Sequence, residues 1–143
     1  MQHYTKFAAM LGKTAAQASQ PADPQNVQLR PGKGAPGRGN ESGGRYWHVY
    51  SGDKRVGHVY INPASGSDFG GQPEISIHIN QPQRGRGIGR EALRQASEQS
   101  GYNNIVATLR KSNLASRYAL AHAGYGVIAN AKTPQLAMRW TRP

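Results

Sequence analysis

The apolar positions of this chain change period several times, and each change marks an element. Glu74, Ile75, Ser76, Ile77, His78 and Ile79 alternate strictly, which is the period of a strand with one face buried, so a strand is expected over 74–79. A helix-like run over 90–100 follows a glycine-rich turn, predicting a helix at about 88–100. The apolar stretch Ile105, Val106, Ala107, Thr108 predicts a strand at 104–109. A helix at 113–122 comes next: Ser112 or Asn113 can cap it, Leu114, Tyr118 and Ala121 share a face, and Gly124 suits a left-handed C′ position. Upstream, strands at about 46–50 and 56–62 flank the turn residues Ser51, Gly52, Asp53 and Lys54, while two closing strands are expected near 125–130 and 135–141.

The first third of the chain reads differently. Residues 1–19 are rich in Ala and Gln, with Tyr4, Phe7 or Ala8, and Leu11 at helical spacing, consistent with a short amphipathic helix. From Ser19 to Gly44 the composition shifts to Pro, Gly, Gln and Arg. Such a stretch buries too little apolar surface to offset its ordering entropy, so a flexible basic arm is expected. Val27, Gln28 and Leu29 are candidates for a first edge strand within it. The expected organisation is therefore an N-terminal helix and arm over 1–44, followed by one folded domain over 45–143.

The candidate chemistry sits between the strand at 74–79 and the helix that follows. Arg84, Gly85, Arg86, Gly87, Ile88 and Gly89 form a glycine-rich turn opening a helix. Backbone N–H groups of such a turn and of the first helical turn converge on one point, and the helix dipole adds attraction for an anion there. Glycine is needed where a Cβ would hold the backbone off the anion and where φ is positive. Arg84, Arg86 and Arg90 add fixed positive charge, so the segment reads as a pyrophosphate cradle. Gly87, Ile88, Gly89, Arg90, Glu91 and Ala92 also satisfy a Rossmann-type Gly-x-Gly-x-x-Ala pattern. That reading fits poorly, because Asn80 to Arg84 intervene after the strand and Leu109, Arg110 and Lys111 stand where a ribose-binding carboxylate is wanted. No Gly-Lys-Ser/Thr follows, which excludes a P-loop. A plain Arg/Gly linker stays open as an alternative.

The spacing Arg84-x-x-Gly87-x-Gly89 resembles the acetyl-CoA loop of the GNAT superfamily of N-acetyltransferases. Asn113, Ser116, Leu120, Gly124 and Tyr125 resemble that superfamily's second signature, and Val56-Gly57 within 55–61 resembles its central hairpin. Together the three span about residues 45–142. The resemblance implies an α/β (α+β) fold: a mixed, mostly antiparallel sheet, a splayed central strand pair and flanking helices, here preceded by a flexible arm. It also implies an acetyl-CoA-dependent transfer of acetyl to an amine. In the superfamily, pantetheine enters the splay and pairs with the first strand, so Ile77, His78 and Ile79 are the backbone candidates, with Arg84, Gly85, Arg86, Gly87, Ile88, Gly89, Arg90 and Asn113 as the remaining acetyl-CoA contacts. Ile75, Ile77 and Ile79 should face the helices, leaving Glu74, Ser76 and His78 toward the acceptor.

Amine acetylation needs a proton acceptor, and Glu74 and His78 are the ones on this strand, acting directly or through water. The superfamily's usual general acid is a tyrosine seven residues after the helix asparagine; Leu120 occupies that position, and Tyr118 lies about 200° away on an ideal helix. This pattern looks more like the branch that modifies protein N-termini, including ribosomal proteins. The superfamily also places a strand and two helices before its central hairpin, a region that here is mostly Pro/Gly arm. An alternative thus stands: a catalytically weak module that serves a larger assembly through residues 1–44.

Composition limits the remaining choices. The chain has 143 residues, enough for one domain. It has no cysteine, so there is no disulfide framework and no thiolate nucleophile; acyl transfer from CoA requires neither. No window approaches the ~18 apolar residues of a membrane span, and the expectation is a cytoplasmic protein without membrane association. His3, His48, His58, His78 and His122 show no i,i+4 pairing and no carboxylate doublet, so no metal is expected. Net charge is +11, from 18 Lys+Arg against 7 Asp+Glu. Residues 1–45 hold six basic and two acidic side chains, a net +4, leaving +7 for the rest. That surface suits an anionic partner and repels polyamines, so the expected acceptor is a protein N-terminus or lysine, or an aminoacyl-tRNA. Tyr46, Trp47, Tyr50 and Tyr60 on the first hairpin serve either cross-strand packing or stacking on bases or peptide.

Overall fold

A computed structural model describes residues 20–64, 70–129 and 134–143. The N-terminal helix expected within 1–19 lies outside the described residues. Seven strands form one sheet: β1 (Val27–Pro31), β2 (Arg45–Ser51), β3 (Lys54–Asn62), β4 (Glu74–Ile79), β5 (Asn104–Leu109), β6 (Gly126–Val127) and β7 (Leu136–Thr141). Their spatial order is β1-β2-β3-β4-β5-β7-β6. Two helices, α1 (Ile88–Gln99) and α2 (Leu114–His122), connect β4 to β5 and β5 to β6. Every strand pair is antiparallel except β4–β5.

The core lies between the helices and one sheet face. Ile88, Ala92, Leu93 and Ala96 recur at three- and four-residue spacing on α1, and all are buried against Val49, Val59, Ile61, Ile75, Ile105 and Met138. Ile77 and Ile79 join that cluster as partly buried members, as the alternation in β4 requires. Tyr125 closes it from the far side, its hydroxyl 2.7 Å from the buried Ser97 Oγ, which also donates to the Leu93 carbonyl. Strands and helices otherwise fall within a residue or two of their expected bounds, except the strand expected at 125–130, which is short and continues through Ile128 N–H donating to the Ala137 carbonyl.

Residues 20–44 depart from the expected flexible arm. β1 adds to the sheet edge along its whole length, from Val27 opposite Ser51 to Pro31 opposite Trp47, and Val27 is buried. The extended stretch could not bury Val27 by itself; β2 supplies both the ladder and the apolar wall. Beyond β1, Asn62 pins the loop: its Oδ1 accepts from Gly39 N–H at 2.9 Å and its Nδ2 donates to the Gly37 carbonyl at 3.0 Å. The Tyr102 hydroxyl donates to the Gly43 carbonyl. Residues 20–44 are therefore built into the domain, and the boundary expected at 44/45 falls inside the sheet. As the Pro/Gly composition implies, the two helices that the superfamily places before its central hairpin have no counterpart between β1 and β2.

Candidate active site

The site begins where β4 and β5 part. Their pairing consists of Glu74 opposite Val106, with Val106 N–H donating to the Pro73 carbonyl at 2.8 Å. Past that point each strand keeps its other neighbour, β3 for β4 and β7 for β5, and the two diverge. A cleft of about 830 Å³ fills the divergence, floored by Ile75, Ile77, Ala107 and Leu120. Its volume suits a ligand of cofactor size. β4 carbonyls and N–H groups that a close β5 would satisfy are left facing this space.

The glycine-rich turn closes one end of the cleft. Gly85 (φ +79°) and Gly87 (φ +85°) both take the left-handed conformation, and Gly87 is the N-cap of α1 without any side-chain cap. The first bond of the helix runs from Glu91 N–H to the Gly87 carbonyl at 3.4 Å, so the N–H groups of Ile88, Gly89 and Arg90 begin the helix without backbone acceptors. A Cβ on Gly87 would sit 3.1 Å from Arg90 Nε, which places that guanidinium against the turn. A Cβ on Gly89 would meet nothing nearer than Ile79 Cγ1 at 3.9 Å. Glu91, the sole acid in the first helical turn, is drawn along the helix: its carboxylate accepts from Arg94, which holds it below the usual carboxylate range, and from Gln95. The glycine turn keeps its positive surroundings.

The three loop arginines have different fates. Arg90 lines the cleft. Arg84 also lines it, while its Nε donates to the Ile79 carbonyl at 2.8 Å and braces the strand end. Arg86 does not line it. Its Nε donates to the Gln20 carbonyl at 3.0 Å and its guanidinium to Gln83 Oε1, and the Arg86 carbonyl accepts from Ala22 N–H at 2.8 Å. This side chain ties residues 20–22 to the turn instead of facing the cleft.

Across the cleft, Asn113 caps α2, its Oδ1 accepting from Ser116 N–H at 3.1 Å. Its side-chain oxygen is thus engaged in the helix start while the residue lines the cleft. Leu120 is buried at the cleft floor, and Tyr118 is 63% exposed at its rim.

A family model for the acetyltransferase (GNAT) domain matches residues 5–126. The chain belongs to the GNAT acetyltransferase family. No curated protein matches it by sequence. Among solved structures, an aminoglycoside acetyltransferase, AAC(6')-Ib in complex with paromomycin and acetyl-CoA, is 21% identical with a TM-score of 0.57, covering 70% of this chain and 66% of that one. RimJ of Mycobacterium smegmatis in complex with CoA-disulfide is 23% identical with a TM-score of 0.54, covering 68% and 53%. The microcin C7 self-immunity acetyltransferase MccE, in complex with acetyl-CoA and AMP, is 16% identical with a TM-score of 0.54, covering 70% and 62%. These likenesses establish the fold, and the chain spans two thirds or less of each of those proteins.

In this GNAT domain, the sheet face turned away from the helices carries the other sequence-derived residues. Glu74 lies at the β4–β5 junction, its Oε2 accepting from Thr108 Oγ1 at 2.9 Å. It lines neither the cleft nor the smaller hollow beside it. His78 is exposed and lines both. Glu74 and His78 share a strand face but are four residues apart along β4, so His78 is the nearer of the two to the splay.

Sequence reasoning missed what stands beside His78. The imidazole of His58 stacks on it with centroids 5.5 Å apart, and Tyr46 stacks on His58 at 5.7 Å. His48 lies opposite His58 in the register and edge-on to Tyr46. Burial, then the charges of His78, Arg38, His48 and Arg55, holds the His58 imidazole below its ordinary pKa; burial and then Arg55 do the same for His48. The signal that could have found this cluster is a bulge. Counting back from the turn, Ser51 pairs Lys54 and Tyr50 pairs Arg55, which would set His48 opposite Gly57. Instead Val49 pairs Gly57, because Val56 is an extra residue, fully buried, and the shift brings His58 opposite His48. Gly57 itself is required by crowding, since a Cβ there would lie 2.1 Å from the His78 carbonyl oxygen. Among the described residues no cluster able to hold a metal ion is found.

Proposed function

We propose that this chain binds acetyl-CoA in the β4–β5 cleft and transfers the acetyl group to an α-amine. The observation that carries the reading is the joining of two features at one place: a splayed strand pair, and a glycine turn with unpaired N–H groups, Arg84 and Arg90 at its mouth. The glycine turn and helix start suit the diphosphate, and the splay suits pantetheine. Structures of the same fold hold acetyl-CoA or CoA-disulfide. In the reaction the amine nitrogen bonds to the thioester carbonyl carbon, the C–S bond breaks, and the proton lost by the amine ends on the CoA sulfur.

The residues at hand favour an α-amine over a lysine. An α-amine has a pKa of roughly 7.7–8.0 and is partly neutral near pH 7, whereas a lysine at about 10.4 must be deprotonated over more than three units. Histidine, ordinarily near 6.5, can accept the proton of the first and is a poor match for the second. Leu120 is buried where the family's tyrosine stands, and Tyr118 is 63% exposed at the rim of the cleft. Polycationic acceptors such as aminoglycosides fit badly against Arg38, Arg55 and the overall +11 charge.

Calorimetric titration with acetyl-CoA tests the cofactor step. Binding is expected, and Gly87→Glu should abolish it by adding bulk and negative charge at the diphosphate. No heat at millimolar ligand would sink the proposal. Leu120 and the missing acceptor-side helices favour a second reading, a weakly active module held in a larger assembly by residues 1–44. Comparing acetylated species in cells expressing wild type or Gly87→Glu separates the two: an unchanged acetylome, with deletion of 1–44 releasing the protein from a complex, supports the second. On either reading the working place is the cytoplasm, consistent with the described helices, none of which is long and apolar enough to cross a membrane.

A further inference from the structure

We infer that the sheet face that no described helix covers is a platform for single-stranded RNA, and that the acceptor α-amine is carried at the end of that strand as an aminoacyl ester. The second half rests on the acetyltransferase reading; the first does not.

The register places Tyr46, His48, Tyr50, His58, Tyr60 and His78 on one face across β2, β3 and β4. None of the six is buried. Tyr46, His48, Tyr50, His58 and Tyr60 are half-buried and His78 is exposed, so the row keeps accessible surface for a further contact. Tyr46, His58 and Tyr60 lie nearly parallel, with interplanar angles of 8–22°, and His58 continues the row to His78 at 25°. The row therefore runs diagonally over three strands and ends at the residue that also lines the cofactor cleft. A strand lying on it would present its terminus at the splay.

Charge on the same face points to the same ligand. Arg30 pairs across from His48 and lies over the Tyr50 ring at 3.8 Å, and Arg55 pairs across from Tyr50. Arg38 is brought in by the loop that Asn62 pins, and with His58, Tyr60, Ser76 and His78 it walls a hollow of about 370 Å³. The one carboxylate on this face of the described sheet, Glu74, is engaged by Thr108. Arginines interleaved with half-buried rings on one sheet face suit phosphates and bases together, as in sheet-based single-strand binders. An acidic peptide would use the arginines but leave the rings idle. No helix stands between β1 and β2 to wall the platform in, which suits a strand arriving from solvent.

The chemistry closes without further reagents. The aminoacyl α-amine attacks the acetyl carbonyl, the nitrogen–carbon bond forms, CoA leaves as thiolate and takes the amine's proton directly or by way of His78, and the ester bond to the ribose is untouched.

The test uses the full chain and fluorescence anisotropy with a labelled 12-nucleotide single-stranded RNA. Binding is expected, with log K falling against log salt at about −0.7 per phosphate contact, near −2 for three arginines. Tyr46→Ala and Tyr60→Ala should each weaken it about 5-fold or more, and Arg38→Gln should reduce the slope by about 0.7, all with acetyl-CoA affinity unchanged. Arg38 is exposed, so its variant serves even where a tyrosine variant folds poorly. RNA affinity indifferent to the tyrosines and to Arg38 would overturn the platform. For the acceptor, mass spectrometry compares an aminoacylated tRNA with a peptide bearing an acidic second residue. Acetylation of the peptide alone overturns the RNA acceptor, whereas loss of acetyl-CoA binding in the wild type would refute the acetyltransferase reading and leave the platform result standing.

Discussion

Replacing Gly87 with alanine separates two reasons for a glycine in the turn before α1. Gly85 and Gly87 have nearly the same backbone, φ +79° and +85°. An alanine at either position should cost about 1–2 kcal/mol of left-handed strain, a fall of about 3–7 °C in Tm for a chain of this size. The surroundings differ. A Cβ at Gly85 meets nothing within 4 Å, but at Gly87 it lies 3.1 Å from Arg90 Nε and 3.3 Å from one of its terminal nitrogens. Because the collision is with the end of a flexible side chain, Arg90 swings away and little further stability is lost. What is lost is the position of a cation. A charge-assisted hydrogen bond is worth about 1.5–3 kcal/mol, or about 10- to 150-fold in Kd, with the lower end expected at an exposed arginine. Calorimetry with acetyl-CoA on Gly85→Ala, Gly87→Ala, Arg90→Ala and the Gly87/Arg90 double variant reads this out. Both glycine variants should show similar melting losses, Gly87→Ala should bind as weakly as Arg90→Ala, and the double variant should be no weaker than either. Equal binding losses for Gly85→Ala and Gly87→Ala, or additivity in the double variant, would refute the role assigned to Arg90.

Other expectations follow from the same coordinates. The folded state holds His48 and His58 below their ordinary pKa, so unfolded chains bind more protons as pH drops below about 6.5. Stability should therefore be complete above that pH and decline through the window beneath it, and His58→Gln should flatten the decline in urea titrations at stepped pH. Tyr125 has the opposite acid–base sense: burial raises its phenol well above the ordinary value, so stability should fall once pH passes about 10, where unfolded chains ionise. Tyr125→Phe should remove that alkaline loss while costing about 1 kcal/mol at neutral pH for the bond to Ser97. Gly57→Ala should disrupt the β3–β4 ladder beside His78, seen as a large melting loss with rapid amide exchange at residues 57–59.

Local periodicity was enough to place β4 at Glu74–Ile79 and β5 at Asn104–Leu109, because strict alternation and an apolar run each admit few conformations. The start of α1 was equally legible, since two left-handed glycines and a helix dipole are properties of neighbouring residues. Three things were not local. Val27 becomes core only because β2 stands beside it, so the edge strand that Val27, Gln28 and Leu29 suggest draws a stretch that reads as flexible into the sheet. Arg86 looks identical to Arg84 and Arg90 in the chain, yet Gln20 and Gln83 turn it away from the cleft. The row from Tyr46 to His78 depends on one extra residue, Val56, because a strand's side chains change face at every step and a single bulge decides which rings meet. Sequence set the elements and the glycine turn; long-range pairing, which no window of neighbouring residues contains, chose the partners and faces on which the ring row is built.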